Sequence, residues 1–453
     1  MLHPYQLLGK NLVIDTASAA VHQTNDLAYA AISNYVNLPA AELVDFLRTK
    51  FPAVLEGEIL TLLDEIAILK ENGQLFSPEE PYHQIAASTK HRGEVKALCL
   101  HVANSCNLTC SYCFASANLY HGADALMSFD VGKQALDFLV ANSGTRKNLE
   151  VDFFGGEPLL NWNVVKELVA YGRSIEEKYE KNFRFTLTTN GLLLNDEVID
   201  YVNREMETVV LSLDGRAKIH DHFRKTKDST GSYDIVLPKF QELVSKRKKG
   251  SYHIRGTFTK RNLDFLQDIL HIAGLGFTEI SMEPVVCDPN SPCAITETDL
   301  PQVFSQYEQL AAEMAKRKDT DKAFRFYHYN LNIAGGPCIH KRLVGCGAGF
   351  EYLAVTPTGK LFPCHQFLSD VEYALGDVWQ GIQNTAPAQT IADLNVFKRP
   401  DCTGCWAKLY CGGGCAANAY HTSGSVSGID AIGCAMFKKR LECATWLHAE
   451  NHS

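Results

Sequence analysis

The stretch Ser105–Ala115, SCNLTCSYCFA, puts three cysteines into one short segment: Cys106, Cys110 and Cys113, spaced C-x3-C-x2-C. Four-iron clusters normally take four cysteines. Three thiolates hold three irons and leave the fourth open to bind and reduce a small molecule. Zinc prefers four ligands, commonly in C-x2-C pairs. A triplet with Tyr112 between its last two cysteines fits zinc poorly. The segment follows an apolar strand candidate, VKALCLHV, and active sites in βα sheets lie at the carboxyl ends of strands. The triplet therefore points to radical chemistry rather than to a zinc or disulfide framework.

Outward from the triplet, strands and helices alternate from about Val95 to Pro284. Strand candidates are VKALCLHV, NLEVDFF, FRFTLTT, TVVLSL, YHIRGTF and FTEISME. Helical patterns such as FDVGKQALDFLVANS, with Ser128 as N-cap, and NVVKELVAYGRSIEEKY lie between them. Repeated βα units with apolar strands predict a parallel sheet covered by helices. Six strands are too few for a closed eight-stranded barrel, so the expectation is an open or partial one. Polar groups gather at the strand ends: Gly155-Gly156-Glu157-Pro158 after the second, Asn190 after the third, Ser212 and Asp214 after the fourth, and Arg255 in the fifth. Each also has a plain reading, as a strand-to-helix turn or a satisfied polar residue. Glu283, at the sixth strand end, is a weaker candidate.

Before this region, NLVIDTASAAVHQTND predicts a hairpin turning near Ser18–Ala20. Three helical patterns follow: DLAYAAISNYV, AAELVDFLRTKF and EGEILTLLDEIAILKENG. The last ends at Gly73, a fitting C-cap residue, with a possible wing at QLF. The pattern reads as a small winged-helix-like domain. After the helical stretch LPQVFSQYEQLAAEMAKRK the chain becomes rich in cysteine and glycine. The expected division is residues 1–90, 91–320 and 321–453.

The chain has 453 residues, 46% hydrophobic and 21% charged, with net charge −9. That balance gives no electrostatic case for nucleic acid or an anionic membrane as partner. Lys246-Arg247-Lys248-Lys249 reads as the cationic end of a solvated helix. No apolar run reaches the roughly 18 residues of a spanning helix, and MLHPYQLLGKN lacks the pattern of a secretory signal. A cytoplasmic protein is expected. Fifteen cysteines in such a chain favour metal or redox chemistry over disulfides.

CNLTCSYCF resembles the signature of the radical S-adenosylmethionine (SAM) superfamily, and Gly155–Pro158 about forty residues later strengthens the likeness. The resemblance implies a partial (βα)6 TIM-like barrel. It implies that Cys106, Cys110 and Cys113 hold the first [4Fe-4S] cluster. Gly155, Gly156 and Glu157 would meet the amino group of SAM, and Asn190, Ser212 and Arg255 its ribose and carboxylate, Arg being suited to bidentate carboxylate binding. Tyr112 falls within the cofactor motif. Asp214 is the strand-end residue to test as a general base.

The C-terminal cysteines form a second pattern: Cys346-x12-Gly359-x4-Cys364, then Cys402-x2-Cys405-x5-Cys411-x3-Cys415, and Cys434. It resembles the SPASM domain, which carries two auxiliary [4Fe-4S] clusters, three clusters in all. By that resemblance Cys346, Cys364 and Cys415 serve the first auxiliary cluster, and Cys402, Cys405, Cys411 and Cys434 the second. Cys338 or a substrate thiolate completes the first. A zinc ribbon accounts for Cys402 to Cys415 but not for the outlying three. Cys99, Cys287, Cys293 and Cys443 default to buried thiols.

Along nearly its whole length the chain looks like the thioether-forming maturases of SCIFF peptides. That implies a ribosomally made, cysteine-rich precursor peptide as substrate, its leader added as a strand to the sheet edge of the N-terminal domain. It also implies a low-potential electron donor of flavodoxin or ferredoxin type. A rival is another SPASM enzyme, such as an anaerobic sulfatase maturase. A rival of a different class is a non-catalytic iron–sulfur carrier or peptide-binding scaffold.

Overall fold

The computed structural model describes residues 1–88, 93–113, 125–333 and 343–451. The chain opens with an antiparallel meander rather than a lone hairpin: β1 (Leu2–Leu7), β2 (Lys10–Asp15) and β3 (Ala20–Thr24). The extra strand β1 pairs with β2 through a two-residue turn in which Leu8 and Gly9 both take positive φ. That is the geometry of a tight hairpin. Leucine there gives no turn signal, which is why β1 is silent in the sequence. Alternation along β2 gives the sheet two apolar faces. Val13 packs with helices Asp26–Asn34, Ala40–Lys50 and Glu56–Glu71, whereas Leu12 and Ile14 join the main core. Gln74–Phe76, expected as a wing, forms no strand.

Six parallel strands follow in chain order: β4 (Ala97–Ala103), β5 (Asn148–Gly155), β6 (Asn182–Thr189), β7 (Thr208–Ser212), β8 (Ser251–Phe258) and β9 (Glu279–Pro284). Helix Phe129–Asn142 starts where Ser128 accepts a hydrogen bond from the Val131 N–H at 3.3 Å. Phe153, Phe183, Phe185, Phe240, Phe258 and Phe265 are fully buried between sheet and helices. Each contributes about 1.5–3 kcal/mol relative to exposure. The basic run Lys246–Lys249 begins at the last residue of helix Tyr233–Lys246, so three of its four residues lie beyond the helix.

The sheet does not stop at the expected boundary of 320. β10 (Arg325–Phe326) pairs with β9, and β11 (Tyr352–Val355) pairs in parallel with β4 at the opposite edge. The short strands β12 (Lys360–Phe362), β13 (Gly376–Asp377) and β14 (Gly381–Ile382) continue antiparallel from there. The described residues thus form one eleven-stranded sheet. This join carries Cys364 and the residues after it to the mouth of the barrel.

The N-terminal meander is docked on the C-terminal region. The His3 ring stacks on Trp406 at 3.7 Å, and the Tyr5 hydroxyl donates to the Glu442 carbonyl at 3.0 Å, on helix Ala431–Asn451. Lys408, with only 2% of its side chain exposed, pairs with Glu79 at 2.7 Å. No helix among the described residues is long and apolar enough to cross a membrane.

Candidate functional site

The carboxyl ends of the barrel strands surround a cavity of about 380 Å3, a normal size for a small-molecule site. Cys106, Cys110 and Cys113 line it. Their loop is strapped to the segment after β7: the Thr109 N–H donates to the Lys225 carbonyl at 2.7 Å and the Ser111 N–H to the Phe223 carbonyl at 3.1 Å. Burial pushes the Cys106 thiol up to about 11 and the Cys110 thiol up to about 12. Among the described residues no three Cys, His, Asp or Glu side chains come together around a single metal ion. Three half-buried thiols on one loop, lining one cavity and not gathered around a single ion, fit an iron–sulfur cluster better than zinc.

Gly155-Gly156 packs directly under this loop. A Cβ on Gly155 would lie 2.1 Å from the Ala103 carbonyl oxygen, and one on Gly156 2.2 Å from that of Ser105, so only glycine fits either place. The Gly156 N–H donates to the Ala103 carbonyl at 2.7 Å and the Glu157 N–H to that of Ser105 at 2.9 Å. The Glu157 carboxylate, 1% exposed, accepts from the Leu159 N–H (3.0 Å), the Thr189 hydroxyl (2.8 Å) and the Asn190 N–H (2.8 Å). It ties the ends of β5 and β6 together. Burial outweighs those bonds and pushes its carboxyl up to about 7.

Asn190, Ser212 and Arg255 line the same cavity. The Asn190 amide donates to Asn107 Oδ1 at 2.7 Å and approaches Cys106 Sγ at 3.6 Å, so it also steadies the cysteine loop. Tyr112 lines the cavity too, but its hydroxyl points away and donates to Asp214 Oδ2 at 2.6 Å. Asp214 is fully buried and absent from the cavity wall. Its Oδ2 also accepts from Arg224 Nε at 3.0 Å, and its Oδ1 from the Thr257 N–H at 3.0 Å. With both oxygens engaged, this carboxylate anchors the cysteine loop through Tyr112 and does not face the cavity. Burial pulls the Arg224 guanidinium down, yet Asp214, Tyr112 and Cys110 hold it well above its usual range. Glu283 is not on the cavity wall; although burial works against it, His328, Arg255 and Arg440 hold it down at about 2.

The far wall carries residues that sequence reasoning did not single out. His365 and Gln366, immediately after Cys364, line the cavity together with Phe154, Thr257 and Arg224. Burial, then Arg255, pushes His365 down to about 4. Adjacency to Cys364 was the one signal available for His365 and Gln366; Arg224 had none. Behind this wall, Cys346, Cys364 and Cys415 neighbour one another electrostatically, and burial pushes the Cys364 and Cys415 thiols up. Gln366 Nε2 approaches Cys415 Sγ at 3.7 Å. Cys402, Cys405, Cys411 and Cys434 line a separate cavity of about 50 Å3, where burial pushes Cys402 and Cys434 up to about 11. Cys338 lies outside the described residues. Of the four remaining cysteines, Cys99, Cys293 and Cys443 are buried and Cys287 is half-buried.

Residues 100–269 match the family model of the Radical SAM superfamily. The match takes in the cysteine triplet, Gly155–Pro158, Asn190, Ser212 and Arg255, and SAM and a four-iron cluster are the cofactors that this superfamily implies. An uncharacterized protein of Methanocaldococcus jannaschii is 30% identical over 191 residues, 42% of this chain and 62% of that protein, so the match spans about six tenths of that relative's length. Among solved structures, anSMEcpe with bound AdoMet and a Kp18Cys peptide gives a TM-score of 0.64 at 17% identity, over 79% of this chain and 99% of that one. Streptococcus suis SuiB bound to precursor peptide SuiA gives 0.55 at 15%, over 95% of this chain and 98% of that one. At these identities the likeness is one of fold.

Proposed function

We propose that this protein is a radical SAM peptide maturase that forms intramolecular thioether cross-links, joining cysteine sulfurs to acceptor carbons in a ribosomally made, cysteine-rich precursor of SCIFF type. The observation that carries the reading is a shared cavity: the Cys106/Cys110/Cys113 loop and the two residues after Cys364 line one space. A radical source and a place to hold a thiolate are thereby neighbours. In this reading the triplet holds one [4Fe-4S] cluster, Cys346, Cys364 and Cys415 hold a second, and Cys402, Cys405, Cys411 and Cys434 a third. The clusters and SAM, when bound, supply a 5′-deoxyadenosyl radical, and an electron donor of flavodoxin or ferredoxin type reduces them.

The chain's own residues hold and orient. Gly155 and Gly156 bring main chain against the cysteine loop, Glu157 offers a carboxylate near the SAM ammonium, and Asn190, Ser212 and Arg255 present polar groups to its ribose and carboxylate. Asp214, through Tyr112, keeps the loop in place. Residues 1–90 form the peptide-recognition domain, where a leader extends the β1–β3 sheet. The two solved structures of like fold lend support in kind. Both solved structures hold peptides, and the one that extends over 95% of this chain, against 79% for the other, is bound to a precursor peptide.

The test is anaerobic incubation with SAM, a reductant and a synthetic cysteine-rich precursor peptide, followed by mass spectrometry. Each cross-link removes two hydrogens and protects one thiol from alkylation. An unchanged peptide alongside normal SAM cleavage refutes the thioether reading. Removing the leader from the precursor peptide abolishes modification here and is neutral for a sulfatase-maturase activity.

A further inference from the structure

The reaction cavity continues into a second one of about 240 Å3, and the two share Pro284, Val285 and Val286, the residues that leave β9. The opposite wall of this continuation is helix Ala416–Ser423 and the segment Ile429–Met436. The two cavities thus lie side by side between helix Ala416–Ser423 and the cysteine triplet.

Three hydrogen-bonding features of this cleft are incomplete. Asn418 Nδ2 donates to Asp430 Oδ2 at 3.4 Å, which turns its carbonyl oxygen away, and that oxygen has no partner. The Gln366 amide nitrogen is directed at Cys415, and its carbonyl oxygen likewise has no partner. Val285 continues the sheet by donating to the Phe258 carbonyl at 2.8 Å, but the next residue, Val286, makes no main-chain hydrogen bond among the described residues. Polar groups shut away from water and left unpaired are rare and call for an explanation. Two carbonyl acceptors and the Val286 main chain along these cavities match the N–H and C=O groups of an extended chain. A compact polar metabolite has no reason to use a path this long.

We infer that the core segment of the peptide substrate passes through this cleft in extended form, paired with Val286 and held by Gln366 and Asn418. The inference rests on the peptide-maturase reading above and adds the route and the residues that grip. The contacts are to main chain, so the cleft accepts varied core sequences, and selection among peptides falls to the leader.

The experiment uses the full-length, cluster-loaded protein and a synthetic cysteine-rich precursor peptide with benzoylphenylalanine at successive core positions. Irradiation followed by peptide mapping is expected to place cross-links on Val285–Cys287 and on Ile429–Met436. Cross-links confined to other surfaces overturn the cleft and leave the peptide reading standing. Absence of both cross-links and mass change overturns the peptide reading, and the cleft with it. As a second measurement, Asn418→Ala is expected to raise the KM for the peptide roughly three- to tenfold, the effect of one lost hydrogen bond, while iron content and the KM for SAM stay at parental values. An unchanged peptide KM overturns the role of Asn418.

Discussion

Replacing Asp214 with Asn tests whether this carboxylate anchors the cluster loop or does chemistry. Asp214 is 0% exposed and Arg224 is 8% exposed, and their atoms meet at 3.0 Å. Asn keeps the shape and loses the charge, leaving the Arg224 cation buried without a counter-ion. Breaking a buried pair from one side costs about 3–5 kcal/mol. The Tyr112 hydroxyl loses its charged acceptor in the same step, and since the groups share one network the two losses do not add. Arg224→Met alone strands the carboxylate and costs a similar amount. The double variant Asp214→Asn/Arg224→Met removes both charges, and such replacements are often close to neutral. The expected double-mutant cycle therefore shows a coupling of at least about 2 kcal/mol, within the range of contacting groups. The assay is anaerobic urea denaturation of the four proteins, with 5′-deoxyadenosine formation followed in parallel. An anchoring Asp214 predicts that the double variant regains both stability and much of the SAM cleavage lost by the single ones. Additive losses, or a stable Asp214→Asn that cleaves SAM normally but leaves the peptide unmodified, refute the anchor and favour a direct chemical role.

Gly156→Ala forces a Cβ to within 2.2 Å of the Ser105 carbonyl oxygen, displacing the cysteine loop; SAM cleavage falls by at least about tenfold while far-ultraviolet circular dichroism stays native. Glu157 has its carboxyl raised from 4.5 to about 7, so its contribution to stability is fully present below 4.5 and is lost as pH rises through 7. The gap corresponds to on the order of 3 kcal/mol. In SAM-free protein Glu157→Gln removes that slope between pH 5 and 8, whatever the lost acceptor does to absolute stability, and a parental slope in the variant contradicts the assignment. Glu79→Ala leaves the Lys408 cation buried on the Thr403 carbonyl without its counter-ion, at a cost of about 3 kcal/mol; limited proteolysis should then release the N-terminal region well before the barrel is cut.

The six parallel strands were legible because each is an apolar run bounded by turn residues, and all six lie within a few residues of their expected positions. The Cys106–Cys113 triplet was legible from its spacing, whereas the grouping of Cys346, Cys364 and Cys415, which lie far apart along the chain, rested on resemblance. β1 was not legible, because its turn uses Leu8 where asparagine or glycine is usual. Asp214 read as an open strand-end carboxylate because Arg224 and Tyr112, which close it, carry no local pattern.

The order of residues along the chain sets which groups are on hand: three cysteines in C-x3-C-x2-C, a Gly-Gly-Glu-Pro turn and seven further grouped cysteines. Only the tertiary structure decided which of these face one another. β11 pairs with β4 across some 250 residues of chain and thereby delivers His365 and Gln366 to the triplet's cavity. Such contacts depend on hydrogen-bonded edges and packed faces meeting at long range, and no periodicity within a short window encodes them.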